Sequence, residues 1–324
     1  MLKKILVAFD GCVVSERVLP YAAELAQATD AALTLVRTAN RHPGLHLGLP
    51  HLHLQYPSSY VNMHADQLRA RGLVVDTVLA SGEPSEALVT EIERRQPGLV
   101  VMSTHGRSAI DRLVHASVTD TVVSRLRCPV MLVPASSDSE AAAGQKLAGQ
   151  CVLVPLDGSR FTEAALPAAV ELARALESDI MLVQAVVPVY QVPTQLELVA
   201  PPTMCQALRL VNAEDAAAAY LKGLANRVSE GEDGPQVTGV ARIGKLIEVI
   251  RELRNNAPIG LVVMATHNRT RLTRALIGDE ADAIVRSDDL AVLLVHPNSP
   301  DLPAEEINEV VADLPPSVAA FICT

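Results

Sequence analysis

The stretch that decides the fold is Ile5-Leu-Val-Ala-Phe-Asp-Gly-Cys12, which returns later in the chain as Val152-Leu-Val-Pro-Leu-Asp-Gly-Ser159. A second pair follows in the same order, Leu99-Val-Val-Met-Ser-Thr-His-Gly106 and Leu261-Val-Val-Met-Ala-Thr-His-Asn268. The first pair is spaced by 147 residues and the second by 162, so the second copy carries 15 additional residues. Repetition at this length predicts that the 324 residues form two similar domains.

Each copy alternates short aliphatic runs with longer stretches of helical spacing, a pattern that predicts parallel strands joined by crossover helices. Because the strands are apolar on both faces, each sheet is expected to carry helices on both sides. The predicted fold class is therefore α/β, with two tandem domains of doubly wound parallel sheet. The predicted strands are 5–9, 32–36, 74–78, 99–102 and 130–133, then 152–156, 180–183, 237–241, 261–264 and 291–295.

The first helix of each copy contains a proline that conflicts with its expected start. If Ser15 and Thr162 are the N-caps, Pro20 and Pro167 lie five residues into a helix. Either each helix starts later than its cap indicates or it bends at the proline.

Composition shifts divide the chain into a first domain at 1–135, a linker at 136–148, a second domain at 149–297 and a tail at 298–324. The linker is small and polar, as a domain boundary should be. The tail is acidic and has apolar residues at helical spacing, so it is either a docking helix for another molecule or a segment that folds back on its own chain, which we favour.

Charge and composition exclude several classes of partner. The 37 acidic residues outnumber the 27 basic ones, and aromatic residues make up only 2% of the chain. Binding to nucleic acid or to a membrane surface is therefore not expected. The apolar run at the amino terminus stops at Asp10, too early for a signal peptide, and the five cysteines form no paired motif. These features predict a cytoplasmic protein with reduced thiols.

Polar groups follow two strands that a doubly wound sheet brings together. Ligands bind such sheets outside the carboxyl ends of the strands, where the strand order reverses. Asp10 and Gly11 end the first strand, the segment 103–108 ends the fourth, and the segment 116–119 begins the last helix. A loop with Gly and Ser beside a helix amino end offers backbone N–H groups and hydroxyls to phosphates, and Asp10 can accept a hydrogen bond from a ribose hydroxyl.

These motifs resemble a tandem universal stress protein, over residues 1–135 and 149–297. Members carry an aspartate at the end of the first strand, which Asp10 and Asp157 match. Those that bind ATP carry glycine, two residues, glycine, nine residues, then glycine and Ser or Thr. The first copy keeps Gly106 and Ser117 of this pattern but has Ser103 and Ala116 at the other two glycines. The resemblance implies a Rossmann-like fold similar to adenine nucleotide alpha hydrolases.

The resemblance also implies a cofactor and a site. One ATP or related adenine nucleotide per chain is expected in the first domain, with adenine near Ala8 and Thr38 and ribose at Asp10. The implied nucleotide-binding residues are Ala8, Asp10, Thr38, Ser103, His105, Gly106, Arg107, Ser108, Ser117, Val118 and Thr119.

The second copy is expected to be a degenerate site. It keeps Asp157 and Ser159 but has Asn268 and Asp279 where the pattern asks for glycine and a hydroxyl. A carboxylate at the phosphate position repels the nucleotide, so our hypothesis is that Asp279 itself occupies the anion position and leaves a pseudo-site.

The implied function is regulatory. The bound nucleotide is expected to bias a surface that an unknown protein partner reads in a stress response. The last strands of the two domains are expected to pair across a pseudo-two-fold axis, as in the family's dimers, which makes the chain a pseudo-dimer that could also form homodimers. No general base, metal-binding carboxylate pair or P-loop lysine is visible, so we expect no enzyme, with slow ATP hydrolysis left open.

Two other functions are kept as alternatives: a stress-associated interaction module that binds no nucleotide, and an adenylate-using hydrolase or transferase.

Structural roles compete with the functional ones at several residues. Asp10 can equally cap a turn, His105 and His267 are better read as hydrogen-bonded structural residues, and Cys12 as a small apolar residue. Four histidines share one loop without carboxylate or thiolate partners, and we expect no metal there. They are His42, His46, His51 and His53.

Overall fold

The structure is a computed structural model that describes residues 2–9, 15–39, 57–104, 118–134, 146–187, 202–229, 234–266, 284–285 and 290–297. For residues 39, 57, 120 and 202–211 it describes only the backbone. The described residues form two compact units. The first runs to Gly149 and includes the last strand of the chain, and the second runs from Gln150 to Ala265.

The first unit is a sheet in the order β3-β2-β1-β4-β5-β10. The pairs among β1 to β5 are parallel, and β10 is antiparallel to β5. Its strands are β1 (Lys4–Phe9), β2 (Ala32–Ala39), β3 (Val75–Ser81), β4 (Leu99–Ser103), β5 (Val130–Val133) and β10 (Ala291–Val295). Its helices are α1 (Val18–Thr29), α2 (Pro57–Ala70), α3 (Pro84–Arg95) and α4 (Val118–Arg125).

The second unit repeats the arrangement with four parallel strands in the order β9-β6-β7-β8. Its strands are β6 (Cys151–Pro155), β7 (Ile180–Val186), β8 (Val237–Ile243) and β9 (Ile259–Ala265). Its helices are α5 (Arg160–Glu163), α6 (Leu166–Ala175), α7 (Pro202–Val228) and α8 (Leu246–Asn256).

The predicted α/β class with parallel sheets is confirmed in both units. The runs expected to be strands are strands, although β3 begins after the exposed Val74 and, like β2, β7 and β8, extends beyond the predicted end. Val18, Leu25 and Leu35 are among the aliphatic residues that fill the core of the first unit.

The predicted pairing of the two last strands is also confirmed. Val292 pairs with Leu132 and Leu293 with Met131, and every residue of both strands is buried. This pairing places β10 in the first unit, although in sequence it is the last strand of the second copy. The domain boundaries drawn from sequence assign residues 291–295 to the second domain, and they stay a prediction.

The conflict at the two prolines is resolved by late helix starts. A 3₁₀ turn covers Ser15–Arg17, and α1 begins only at Val18. In the second copy Ser159 caps the short α5, and a separate helix, α6, begins at Leu166 with Pro167 in its first turn, where proline costs no hydrogen bond. The expectation that Thr162 is the N-cap is therefore wrong, because Ser159 accepts from the backbone N–H of Thr162.

The additional residues of the second copy lengthen a helix. Helix α7 has 27 residues, whereas its counterpart α2 has 14. It packs closely on β8, since a Cβ on Gly239 would lie 2.7 Å from the Cβ of Leu221.

Candidate functional site

The switch point of the first sheet lies between β1 and β4. Strand β1 pairs with β2 on one side and with β4 on the other, so the chain leaves β1 and β4 in opposite directions across the sheet. The carboxyl ends of these strands are Phe9 and Ser103. A crevice at this position is where doubly wound sheets bind ligands.

The first turn of α4 is fastened to the end of β4. The hydroxyl of Thr119 donates to the carbonyl of Ser103 over 3.3 Å, and the amide of Thr104 donates to the carbonyl of Val133 over 3.0 Å. Ser103 itself is 7% exposed. The amino end of α4, with its outward-pointing N–H groups and positive dipole end, therefore lies beside the switch point.

Five of the predicted site residues are described, and they lie at this edge of the sheet or on α4. Ala8 is buried near the end of β1, and Thr38 is half-buried near the end of β2. Ser103 ends β4, and Val118 and Thr119 begin α4, both half-buried. The remaining predicted residues lie outside the described residues and are Asp10, His105, Gly106, Arg107, Ser108 and Ser117.

In the second unit, the carboxylate of Asp157 accepts hydrogen bonds from the turn in which it lies. It accepts from the amide of Ser159 over 2.8 Å and from the hydroxyl of Thr162 over 2.7 Å. Burial alone would raise the pKa of Asp157, but these hydrogen bonds outweigh it and hold that pKa below its ordinary value. The turn-capping role that the sequence left open is thus the one Asp157 plays.

Sequence reasoning missed a pair of hydrogen bonds that both copies share. The Tyr60 hydroxyl donates to the Glu16 carboxylate, and the Tyr220 hydroxyl donates to the Glu163 carboxylate over 2.6 Å. Burial and the neighbouring carboxylate raise the pKa of Tyr220, so this phenol stays protonated. The glutamates are 147 residues apart, the same spacing as Asp10 and Asp157, and that repeat was the available signal.

Tyr60 lies in a cluster of two other rings and one guanidinium group in the first unit. The ring of Phe9 lies 6.0 Å from those of Tyr60 and His64, and the two latter rings are 4.7 Å apart. The guanidinium of Arg37, a residue 3% exposed, lies 5.0 Å above the Tyr60 ring. A cation over an aromatic face is attracted by the ring quadrupole.

The cysteines and histidines give less support for a reactive or metal-binding site. Within the described residues, Cys128 and Cys151 form no disulfide, and burial raises the pKa of Cys151 to about 11, which leaves its thiol unreactive. The same part of the chain holds no group of three or more residues suited to a metal ion, and the four loop histidines, His105, His267 and Cys12 lie outside it. None of the helices described is long and apolar enough to cross a bilayer.

Comparison with known proteins assigns the family. The model of the universal stress protein family matches residues 1–134 and again 150–296. The chain belongs to this family. It is a tandem universal stress protein, as the duplicated motifs predicted.

Relatives of this universal stress protein cover either one copy or both. A universal stress protein of Thermus aquaticus is 31% identical over 139 residues, which cover 41% of this chain and 99% of the relative. One from Mycobacterium tuberculosis is 28% identical over 227 residues, 70% of each chain. The solved structure of an Archaeoglobus fulgidus universal stress protein, with a TM-score of 0.60 and 14% identity, covers 91% of this chain and 98% of that one, and shares the fold.

Proposed function

We propose that the first unit of this universal stress protein binds one adenine nucleotide, ATP or a close relative, and that a protein partner reads the bound state. The observation that carries the proposal is the hydrogen bond from Thr119 to Ser103, which brings the first turn of α4 to the switch point beside Ala8. Backbone N–H groups at a helix amino end attract phosphates.

The proposed placement of the nucleotide follows from the order of β2, β1, β4 and α4 at the carboxyl ends of the strands. Adenine lies against Ala8 and Thr38, and Asp10 accepts a hydrogen bond from the ribose. The phosphates lie against the loop that follows β4 and against the first turn of α4. The residues proposed for the phosphates are Ser103, His105, Gly106, Arg107, Ser108, Ser117, Val118 and Thr119.

The second unit is proposed to hold no nucleotide. Oδ1 of the Asp157 carboxylate already accepts from Ser159 and Thr162, so one of its two oxygens serves the turn rather than a ribose. Asp279 adds a negative charge where the sequence pattern asks for a hydroxyl. One nucleotide per chain is therefore expected.

Such a protein works without turnover. A nucleotide that binds two states of the protein with different affinity shifts the population between them, and a partner that recognises one state reads the shift. We therefore propose a regulatory role in the cytoplasm rather than catalysis.

The test is to denature the purified protein and to identify and count any released nucleotide by mass. About one adenine nucleotide per chain is expected, as one site per chain implies. Gly106→Asp should release none, because the new carboxylate repels phosphate. The matched control is Asn268→Asp, which introduces the same carboxylate at the corresponding position of the second copy and should leave the count unchanged.

Three results would contradict the proposal: two nucleotides per chain, equal occupancy in Gly106→Asp, or no nucleotide even after incubation with excess ATP. The last would favour the second candidate, an interaction module without nucleotide. The buried Ser103, which stands where ATP-binding members carry glycine, is the observation in favour of that candidate.

A further inference from the structure

Strand β3 has an unpaired edge, because among the described strands it has a single neighbour, β2. The amide of Leu33 on β2 donates to the carbonyl of Val74, so that carbonyl points toward β2. The next carbonyl, that of Val75, points the other way and accepts from Arg69. Backbone groups alternate in direction along a strand. The residues of β3 whose backbone groups point outward are therefore Val75, Thr77, Leu79 and Ser81.

The first half of this edge is protected and the second half is open. An arginine bonds to the carbonyl of Val75, and the carboxylate of Asp76 accepts from the amide of Thr77 over 2.9 Å. Within the described part of the chain, the outward backbone groups of Leu79 and Ser81 have no such partner. Open backbone groups on an edge strand are able to pair with another strand. Pairing is thus restricted to the second half of β3.

Exposed apolar side chains lie at the same edge. Five large hydrophobic side chains are exposed among the described residues, and three of them lie on or beside β3. They are Leu79 at 43%, Val74 at 72% and Met63 of α2 at 46%. Leu79 shares a face of β3 with Thr77, whose hydroxyl donates over 3.2 Å to Asn62, the neighbour of Met63. Apolar side chains that are exposed together indicate a contact surface.

The edge of the second unit is less suited to pairing. On β8 the outward carbonyl of Ala241 accepts from Arg242, and Gly239, which has the same orientation, offers no side chain. Glycine weakens a strand and contributes nothing to contacts across a strand pair. The exposed Ile243 is the last residue of β8. This edge therefore serves as the control for β3.

Charges along the β3 edge do not oppose a second copy of the chain. The whole chain has a formal net charge of -10, which disfavours association between copies. Beside β3, however, the carboxylates are paired: Asp66 with Arg69 and Asp76 with Arg95, each over 2.8 Å. The edge is therefore close to neutral, and little like-charge repulsion acts on a copy of the same edge.

The edge also complements itself when one copy is turned end to end. If two β3 strands pair antiparallel about a two-fold axis at Leu79, the two leucines lie opposite each other, and Thr77 lies opposite Ser81. Leucine then covers leucine, and the two hydroxyls are able to bond. The carbonyl that Arg69 bonds lies four residues before Leu79, and Glu83 lies four residues after it. The arginine of each copy thus comes beside the glutamate of the other.

We propose that β3 is an association edge on which a second copy of this chain pairs antiparallel, centred on Leu79. The pairing forms about four backbone hydrogen bonds and covers the exposed leucine of each copy. The contact is small, so it forms at protein concentrations of about 0.1 mM and above. This inference rests on β3 and its neighbours and does not depend on the proposed nucleotide site.

The first experiment is analytical ultracentrifugation of the full chain from about 0.01 to about 1 mM. The wild type should shift from the mass of one chain to that of two. Leu79→Lys should weaken association at least about tenfold, because two ammonium groups would face each other across the axis. Ile243→Lys, the same kind of change on the β8 edge, should associate as the wild type does.

Three outcomes of this experiment contradict the proposal. They are a wild type that stays monomeric at about 1 mM, a Leu79→Lys variant that associates as the wild type does, and loss of association in Ile243→Lys. The last outcome would move the contact to β8. Because Leu79 is nearly half exposed, lysine is expected to leave the melting temperature unchanged, and circular dichroism checks this.

The second experiment tests the register by disulfide cross-linking. Residues directly opposite in an antiparallel pair have Cα atoms about 5.5 Å apart, which a disulfide can bridge. Leu79→Cys should therefore give a covalent dimer on oxidation. Ser81→Cys is the matched variant on the same face, and its two copies would lie about 14 Å apart, too far for a disulfide.

The five cysteines of the chain require a baseline, so oxidised wild type is analysed beside both variants and the linked peptides are identified by mass. A link between two copies of residue 79, absent from Ser81→Cys, supports the two-fold pairing. Cross-linking of Ser81→Cys at the rate of Leu79→Cys, or no dimer above the wild-type level in either variant, shows that β3 does not pair about Leu79.

Discussion

Asp157 follows β6 in the second unit, and its carboxylate caps a turn by accepting from Ser159 and Thr162. These contacts favour the ionised form, so its pKa lies below the ordinary 3.8. A carboxyl group whose pKa is depressed by folding stabilises the protein above its unfolded-state pKa. That stabilisation is lost as the pH falls through the folded-state pKa.

We expect Asp157→Ala to lower the free energy of unfolding by about 1 kcal/mol at neutral pH, the usual cost of a lost cap. The difference from wild type should shrink below about pH 3, where the carboxylate is protonated in both states. Asp157→Asn keeps one acceptor oxygen and should cost less, and its effect should change less with pH. Chemical denaturation followed by circular dichroism measures all three, with Asp215→Asn on an exposed position of α7 as the control. A cost for Asp157→Ala that is the same at pH 3 and pH 7 would contradict this account.

At the scale of the element, an arginine bonds to an outward-facing carbonyl on the edge strand β3 of the first unit and on the edge strand β8 of the second. The guanidinium of Arg69 donates to the carbonyl of Val75 on β3 over 2.7 and 3.1 Å. On β8, Arg242 donates to the carbonyl of Ala241 over 2.8 Å. Each carbonyl belongs to the alternate set that points away from the neighbouring strand. Each arginine thus removes one acceptor that another chain would need in order to pair with that edge.

The contact of α7 with β8 depends on a glycine. A Cβ on Gly239 would lie 2.7 Å from the Cβ of Leu221 and 3.1 Å from its backbone carbon, so the helix would have to shift. Gly239→Ala should therefore lower the free energy of unfolding by about 1 to 3 kcal/mol. In the same helix Gly223 has open space, and Gly223→Ala should raise that free energy by up to about 1 kcal/mol. Urea unfolding of the two variants and of the wild type measures both changes in the free energy of unfolding. A neutral Gly239→Ala would show that α7 can move away without cost.

At the scale of the whole molecule, local sequence patterns predicted the features that depend on neighbouring residues, and they missed contacts between residues far apart in the sequence. The strands and the repeat follow from runs of a few aliphatic residues and their recurrence, whereas the pairing of β5 with β10 was expected from the resemblance to the family's dimers. The capping partner of Asp157 lies five residues away and was within reach of the same reasoning. The bond from Tyr60 to Glu16 spans 44 residues, and that from Tyr220 to Glu163 spans 57. Such contacts depend on how a helix packs against the sheet, and the spacing of residues in the sequence does not predict that packing.

A side-chain contact that spans still more of the chain fixes the point at which the chain leaves the first unit. The carboxylate of Glu24 on α1 accepts from the backbone N–H groups of Leu147 and Ala148, both over 2.8 Å and more than 120 residues away. Leu147 is only 2% exposed, while Lys146 beside it is exposed. Two amides bonded to one carboxylate hold this segment as a strong, charge-assisted contact.

Trypsin can cleave after Lys146 only when the segment lifts off, since a protease needs several residues on either side in an extended form. Glu24→Ala removes both acceptors and should lower the free energy of local opening by about 1 to 2 kcal/mol, which corresponds to about tenfold faster cleavage. The matched control is Glu171→Ala, the same residue type 147 positions later in the second copy. Fragment masses and gel time courses identify the cut and its rate. If Glu24→Ala and wild type are cut after Lys146 at the same rate, the segment is held by the burial of Leu147 rather than by the carboxylate.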